Sequence, residues 1–340
     1  SPVIGMDNPM NYRNKAQYPV GMGDNGPVAG FYARRSHIII DSERCGIQHP
    51  ASEKVKNTVL EAVKELKIPV YNEITGEGIL RHIVTRVSYS TGDVMVILVV
   101  TDEKVPGLKK IIQKITREIP EVISIVLNIN KRRDNVILGD KVRTVYGSDT
   151  LVDRLGHLKF HISPLSFYQV NPVQTVKLYN KAVEFAGLTG NETVFDLYCG
   201  IGTISLFLAE KAKEVIGVEV VPEAVEAATK NAVLNNISNA RFYCGEAEKV
   251  VPELYNEGIR ADVVVVDPPR KGCDEALLQT VVKMQPERIV YVSCNPSTLA
   301  RDLKYLAANG YNLDKVHPVD LFPWTEHVET VVLLSHNNSR

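Results

Sequence analysis

The chain has 340 residues, 44% of them apolar, and a formal net charge of −1, so it can bury a large core and is long enough for two domains. A wholly disordered chain is excluded, and so small a net charge argues against a general polyanion binder. Five cysteines (Cys45, Cys199, Cys244, Cys273, Cys294) are odd in number, widely spaced and without a CxxC pair. They indicate neither a disulfide framework nor a zinc site, and they fit a reducing, cytoplasmic setting. No apolar stretch reaches membrane-spanning length, and the opening Ser1-Pro2-Val3-Ile4-Gly5 lacks the basic and apolar regions of a signal peptide. The chain starts without a methionine, as expected of a fragment or a processed product.

Residues 1–50 carry Gly and Pro at many positions, with short strand-like pieces such as 36–40, and read as an irregular lead-in with hairpins. Helical spacing of Val55, Val59, Val63 and Leu66 predicts a helix over 52–67. Two β-rich runs, 80–88 and 94–101, flank Ser90-Thr91-Gly92-Asp93, whose turn chemistry predicts a hairpin. An amphipathic helix at 108–118 and a strand at 122–128 follow. The order α-β-β-α-β fits a small α+β domain with helices on one face of an antiparallel sheet. Basic residues gather in this half: Arg13 and Lys15, Arg34 and Arg35, Lys109 and Lys110, Lys131-Arg132-Arg133, Lys141 and Arg143. Two readings stand for them, contacts to nucleic-acid phosphates or solvated turns and helix faces.

Beyond about residue 160 the pattern becomes a regular alternation. Strands at 193–197, 215–219, 240–243, 263–267 and 289–292 alternate with helices at 202–211, 222–235, 275–283 and 298–307, which predicts a doubly wound parallel sheet. Two closing strands, near 312–321 and 326–334, have no helix between them. Such a finish resembles that of class I methyltransferases.

Asp196-Leu197-Tyr198-Cys199-Gly200-Ile201-Gly202-Thr203 follows the first strand of this sheet, and Gly200 and Gly202 let the backbone approach a ligand. The third glycine of GxGxxG is absent, Ser205 taking its place, so the loop suits a ribose and an amino acid moiety more than a pyrophosphate. Glu219, ending the second strand, is placed to accept from ribose hydroxyls. Glu246 either reaches the adenine end or is a first-turn acid on a helix dipole. S-Adenosylmethionine fits loop, acid and topology together. Asp267-Pro268-Pro269-Arg270 ends the fourth strand, its prolines stiffening a loop against which a flat base can lie. Enzymes that methylate exocyclic amines place an aromatic where Arg270 stands, which argues for another chemistry. Cys294, in Tyr291-Val292-Ser293-Cys294-Asn295-Pro296, ends a further strand. There a following helix dipole would favour the thiolate; the alternative is an inert buried cysteine.

With these stretches the chain resembles, over nearly all its length, the uracil-5 methyltransferase family that makes 5-methyluridine in RNA. The remaining motifs that carry the resemblance are Ser163-Pro164-Leu165-Ser166-Phe167-Tyr168-Gln169-Val170-Asn171, Lys271-Gly272 after the proline loop, and Asp320-Leu321-Phe322-Pro323-Trp324-Thr325-Glu326-His327-Val328-Glu329. At Trp324 the family more usually has His, Gln or Tyr. Tyr12-Arg13-Asn14-Lys15-Ala16 resembles its central RNA-binding region. The resemblance implies an α/β fold: a class I, Rossmann-like methyltransferase domain with a seven-stranded doubly wound sheet over 156–340, and an α+β RNA-binding domain over 1–155. It implies Cys294 as the nucleophile that adds to uracil carbon 6 and Glu329 as the base that removes the carbon 5 proton. S-Adenosylmethionine would lie against Gln169, Tyr198, Gly200, Thr203, Glu219, Glu246 and Asp267. RNA would meet Arg13, Lys15, Arg270 and Phe167, although Phe167 reads equally as core.

The implied partner is an RNA loop with an unpaired or flipped uridine, in 23S ribosomal RNA if the long first domain and the tract 11–17 set the branch, otherwise in transfer RNA. A monomer is expected. Family members often carry a TRAM domain and a three-cysteine iron–sulfur motif ahead of where this chain begins; Cys45 alone cannot hold a cluster, so a truncated chain without metal is expected. A cytosine-5 methyltransferase would need Pro-Cys and Thr-Cys motifs that are missing, and a non-catalytic RNA-binding module would need neither Cys294 nor Glu329.

Overall fold

The computed structural model describes residues 1–337. The chain divides into two compact units, one comprising Met10–Arg154 and His161–Leu165, the other Ser1–Pro9, Leu155–Phe160 and the chain from Ser166 onward.

The first unit contains β1 (Lys15–Gly23), β2 (Gly26–Tyr32), β3 (Ile39–Asp41), α1 (Pro50–Leu66), β4 (Leu80–Val87), β5 (Val94–Val100), α2 (Leu108–Glu118), β6 (Val122–Ile129) and β7 (Lys141–Gly147). Its seven strands form one sheet in the order β3-β2-β1-β4-β5-β6-β7. The lead-in holds a hairpin, as expected: Gly23 pairs with Gly26 across the Asp24-Asn25 turn, so β1 and β2 form it, and β1 goes on to pair with β4. One expectation is corrected here. The sheet is mixed rather than antiparallel, because α2 crosses between β5 and β6 and a crossover of that length returns the chain parallel. Val55, Val59 and Val63 of α1 share one apolar cluster with Ile111 and Ile115 of α2 and the buried strand residues.

A short hairpin, β8 (Leu151–Leu155) and β9 (Leu158–Ile162), is followed by α3 (Pro172–Ala186). The second unit then runs β10 (Thr193–Leu197), α4 (Thr203–Ala209), β11 (Glu214–Glu219), α5 (Pro222–Leu234), β12 (Ala240–Cys244), α6 (Ala247–Asn256), β13 (Val263–Val266), α7 (Glu275–Met284), β14 (Arg288–Ser293), α8 (Pro296–Ala308), β15 (Tyr311–Val319) and β16 (Glu329–His336). Its sheet order is β12-β11-β10-β13-β14-β16-β15. Five strands are parallel, and β16 lies antiparallel between β14 and β15. The valine run of β13 is buried throughout, as a strand covered on both faces requires. Strand order reverses between β10 and β13, and such a switch point opens a crevice at the strands' carboxyl ends. The first nine residues belong to this unit, where Ile4 bridges to Val319.

Candidate active site

Antiparallel register places the two residues with most to offer chemically. Ser293 of β14 lies opposite Thr330 of β16, so Cys294 and Glu329 stand at the adjoining ends of this ladder, close enough for the Glu329 charge to act on the thiol. Glu329 is 3% exposed and Cys294 is half-buried. Burial, and then the Asp267 charge, push the Glu329 carboxyl above the usual carboxylate range, while the Arg270 guanidinium pulls it down. Burial likewise raises the Cys294 thiol, Glu329 and Asp267 add to the rise, and Arg270 opposes it. Asn295 caps α8 beside the thiol, its side chain accepting from Ser297 N at 3.0 Å.

The proline loop is gripped by one face of α8. The Arg270 carbonyl accepts from Asn295 Nδ2 at 3.0 Å and from Thr298 Oγ1 at 3.1 Å. Arg301 Nη2 donates to the carbonyls of Lys271 (2.9 Å) and Cys273 (3.3 Å). Asp302, 1% exposed, accepts from Cys273 N at 2.9 Å, Tyr291 hydroxyl at 2.6 Å and Arg301 Nη2 at 2.7 Å. Gly272 has φ +79°, and a Cβ there would lie 2.5 Å from Arg301 Nη2 and 2.6 Å from Asp302 Oδ2, so only glycine fits. The helix that starts beside Cys294 thus fixes the loop that carries Arg270. The Arg270 side chain reaches His327, Nη2 to Nε2 at 3.4 Å. A cavity of about 560 Å³ lined by Lys271, Asp274, Arg301 and Tyr305 adjoins the clamp, but neither Cys294 nor Glu329 lines it.

At the other side of the switch point, Glu219 accepts from Gly200 N and Val221 N, each at 3.0 Å. Tyr198 and Gly200 both adopt left-handed backbone, φ +67° and +56°, and open space lies where a Gly200 side chain would be. Thr203, opening α4, shares a 3.1 Å hydrogen bond with the Tyr179 hydroxyl. Asp196 is fully buried; Ser205 Oγ donates to one carboxyl oxygen, and the other has no hydrogen-bond partner. Burial pushes this carboxyl up to about 7. Gln169 is buried as well. Glu246 stands exposed at the start of α6, paired with Lys249, the geometry of a helix-end acid. The open turn and the orphaned carboxyl oxygen fit a group with hydroxyl donors and positive charge. A pyrophosphate would meet Asp196, Glu219 and Asp267 with Arg270 as the balancing cation. Among the described residues no group of three or more His, Cys, Asp or Glu side chains comes together as a metal site.

The structure thus gathers Cys294, Glu329, Asp267 and Arg270 into one electrostatic group, with Tyr198 and Gly200 in the turn after β10, Thr203 at the start of α4 and Glu219 at the end of β11, bonded to Gly200. Phe167 is 72% exposed, which excludes the core reading. Arg13 and Lys15 belong to the other unit, where Lys15 lies opposite Arg86; burial and that guanidinium lower its amine to about 7. Sequence reasoning did not single out Tyr179, Arg301 or Asp302. The spacing of Thr298, Arg301 and Asp302 on one helix face was the available signal for the last two.

A model of the tRNA (uracil-5-)-methyltransferase family matches residues 61–337. A curated RNA methyltransferase of Halalkalibacterium halodurans, described as uncharacterized, is 55% identical over 337 residues, 99% of this chain and 74% of that protein. Another, from Bacillus cereus, is 54% identical over 334 residues, covering 98% and 73%. Among solved structures, the tRNA (uracil-54, C5)-methyltransferase of Pyrococcus abyssi in complex with S-adenosyl-L-homocysteine matches with a TM-score of 0.82 at 30% identity, over 98% of this chain and 78% of that one.

Proposed function

Because the chain belongs to the tRNA (uracil-5-)-methyltransferase family, we propose that it methylates carbon 5 of an unpaired uridine in RNA, using S-adenosylmethionine, through Cys294 and Glu329. The observation that carries this reading is a half-buried thiol and a buried carboxyl of raised pKa at the adjoining ends of β14 and β16, close enough for the carboxyl charge to act on the thiol. Carbon 5 of uracil is too weak a nucleophile to take a methyl group unaided. Addition of Cys294 sulfur to carbon 6 forms a C–S bond and moves the electron pair onto carbon 5 and the carbonyl, as an enolate. The bound cofactor supplies an electrophilic methyl group on its sulfonium. Carbon 5 then holds both methyl and hydrogen. Glu329 removes that proton, the double bond re-forms and the Cys294 sulfur leaves. A carboxylate whose burial makes it a stronger base suits this step, and Arg270 is the cation that favours the thiolate for the first one.

Asp196, Glu219 and Asp267 hold the cofactor's hydroxyl and cationic ends, and Gln169, Tyr198, Gly200 and Thr203 shape its bed. A base inside a helix cannot reach Cys294, so the uridine is unpaired or flipped, at an unstacking cost of about a few kcal/mol. The first unit, with Arg13, Lys15 and the other basic clusters, holds phosphates, which makes affinity salt-dependent. The sequence of that unit supports 23S ribosomal RNA as substrate. A second reading, transfer RNA, is supported by the Pyrococcus abyssi enzyme, whose name gives uracil-54 of tRNA as its target.

The test is transfer of labelled methyl from S-adenosylmethionine to unmodified 23S ribosomal RNA and, separately, to bulk transfer RNA, with nucleoside analysis. Label in 5-methyluridine from ribosomal RNA is the expected result. Label from transfer RNA alone keeps the chemistry and overturns the substrate; label in neither overturns both.

A further inference from the structure

The segment between β15 and β16 leads directly into Glu329, and its turn is built against the usual rule. Thr325 N donates to the Phe322 carbonyl at 3.1 Å, closing four residues with Pro323 second and Trp324 third. Trp324 has φ +68°. Proline second and positive φ third mark a type II turn, whose third place ordinarily goes to Gly or Asn because a larger side chain is strained there. Here it is occupied by the only tryptophan of the chain, and that residue is 74% exposed.

The turn is fixed in place. Thr325 Oγ1 donates to the Phe322 carbonyl at 2.7 Å and accepts from His327 N at 3.2 Å. Asn171 Nδ2 donates to the Leu321 carbonyl at 3.0 Å and Gln174 Nε2 to that of Asp320 at 2.9 Å, tying the root of the segment to the start of α3. The stretch entering α3 carries Phe167, likewise strongly exposed. His327, three residues past Trp324, meets Arg270. An exposed indole in a strained position adds nothing to the core, and strain of this kind persists at sites that bind.

We propose that Trp324 is a stacking platform for an unpaired nucleobase adjoining the uridine that enters the Cys294 site, an inference that rests on the RNA methyltransferase reading above. The indole offers a flat π-face that any base can cover, so the platform selects for unpaired RNA more than for one sequence. Its neighbours Thr325 and Glu326 are polar and exposed, which suits a planar ligand better than the broad apolar contact a protein partner makes.

With a single tryptophan, the indole fluorescence of the whole chain reports this residue alone. The chain is titrated with a short unpaired oligoribonucleotide containing uridine between purines, its binding followed independently by the anisotropy of an end label. Saturable quenching in step with anisotropy is expected. Trp324→Phe keeps the affinity, whereas Trp324→Asn weakens it by about five- to a hundredfold while the thermal midpoint holds or rises, because asparagine tolerates the left-handed turn. A merely structural role for the indole would lower the midpoint instead. Binding without quenching, or equal affinity of the Asn variant, overturns the platform. So does a concentration-dependent blue shift without RNA, which would show a second copy of the chain covering Trp324. Methyl transfer by the same preparation separates the two levels: transfer without quenching sinks the platform alone, and neither transfer nor oligonucleotide binding sinks the underlying reading.

Discussion

Glu329→Gln replaces a carboxyl by an amide of nearly the same shape, and its effect on stability should depend on pH. The folded-state pKa of Glu329 is raised, by burial first and by Asp267 second. The stability contributed by its neutral form is therefore complete below the unfolded-state value and is lost as pH rises through the folded-state one. The amide does not titrate. Each tenfold change in the acid constant is worth about 1.4 kcal/mol, and a carboxyl buried this deeply moves by a factor of about 10² to 10³. At pH 9 the Gln variant should thus be more stable than the parent by about 3–4 kcal/mol, and near pH 5 the two should be nearly equal. Urea unfolding followed by circular dichroism at both pH values, compared through midpoints at matched m-values, reads the difference. Methyl transfer should fall by about 10²- to 10⁴-fold in the same variant, the usual contribution of a general base. A stability difference independent of pH, or a variant weaker at pH 9, would refute the picture of a carboxyl held in an unfavourable place for its chemistry.

Arg270→Met removes the cation that lowers both Cys294 and Glu329, so alkylation of Cys294 by iodoacetamide should require higher pH. Peptide mapping must separate it from the exposed Cys244, and an unchanged pH profile would contradict the assignment. Gly272→Ala should destabilise the second unit by about 1–3 kcal/mol and depress methyl transfer, because its Cβ would meet Arg301 and Asp302; unaltered thermal unfolding would count against the clamp. Asp302→Ala leaves the Tyr291 hydroxyl and Cys273 N without their acceptor, a loss of about 2–3 kcal/mol that urea unfolding would reveal and that a surface acid would not produce.

How much of this was readable beforehand depended on the range of the interactions. The second unit announced itself locally: valine runs such as 263–266, a glycine turn after β10 and helical spacing between strands are each signals confined to a short stretch of chain. The doubly wound parallel sheet follows from that alternation; the strand order is read from the structure. α3 and α6 were missed, the first because its Asn171 cap ends a stretch read for chemistry, the second because Pro252 interrupts it. β7 is a polar edge strand with Lys141 and Arg143 on it, and its pairing partner is fixed only in three dimensions. At the site, Cys294 and Glu329 could be named from their motifs, but their approach depends on the pairing of β14 with β16. The direction of the Cys294 shift could not be read, because helix proximity is visible in sequence whereas the Glu329 and Asp267 charges arrive from distant strands. Asp302 reaches back 29 residues to Cys273, and no local pattern shows such a reach.

The central claim is covalent catalysis by Cys294 with Glu329 as the base. The most direct measurement incubates the protein with S-adenosylmethionine and RNA in which uridine is replaced by 5-fluorouridine, then digests the product and locates any nucleotide-bearing peptide by mass. Fluorine at carbon 5 cannot leave as a proton, so the account predicts a stable adduct that carries the transferred methyl group on the peptide containing Cys294, and none with Cys294→Ala. Methylation of ordinary RNA by the Cys294→Ala protein, or an adduct on another residue, would contradict it.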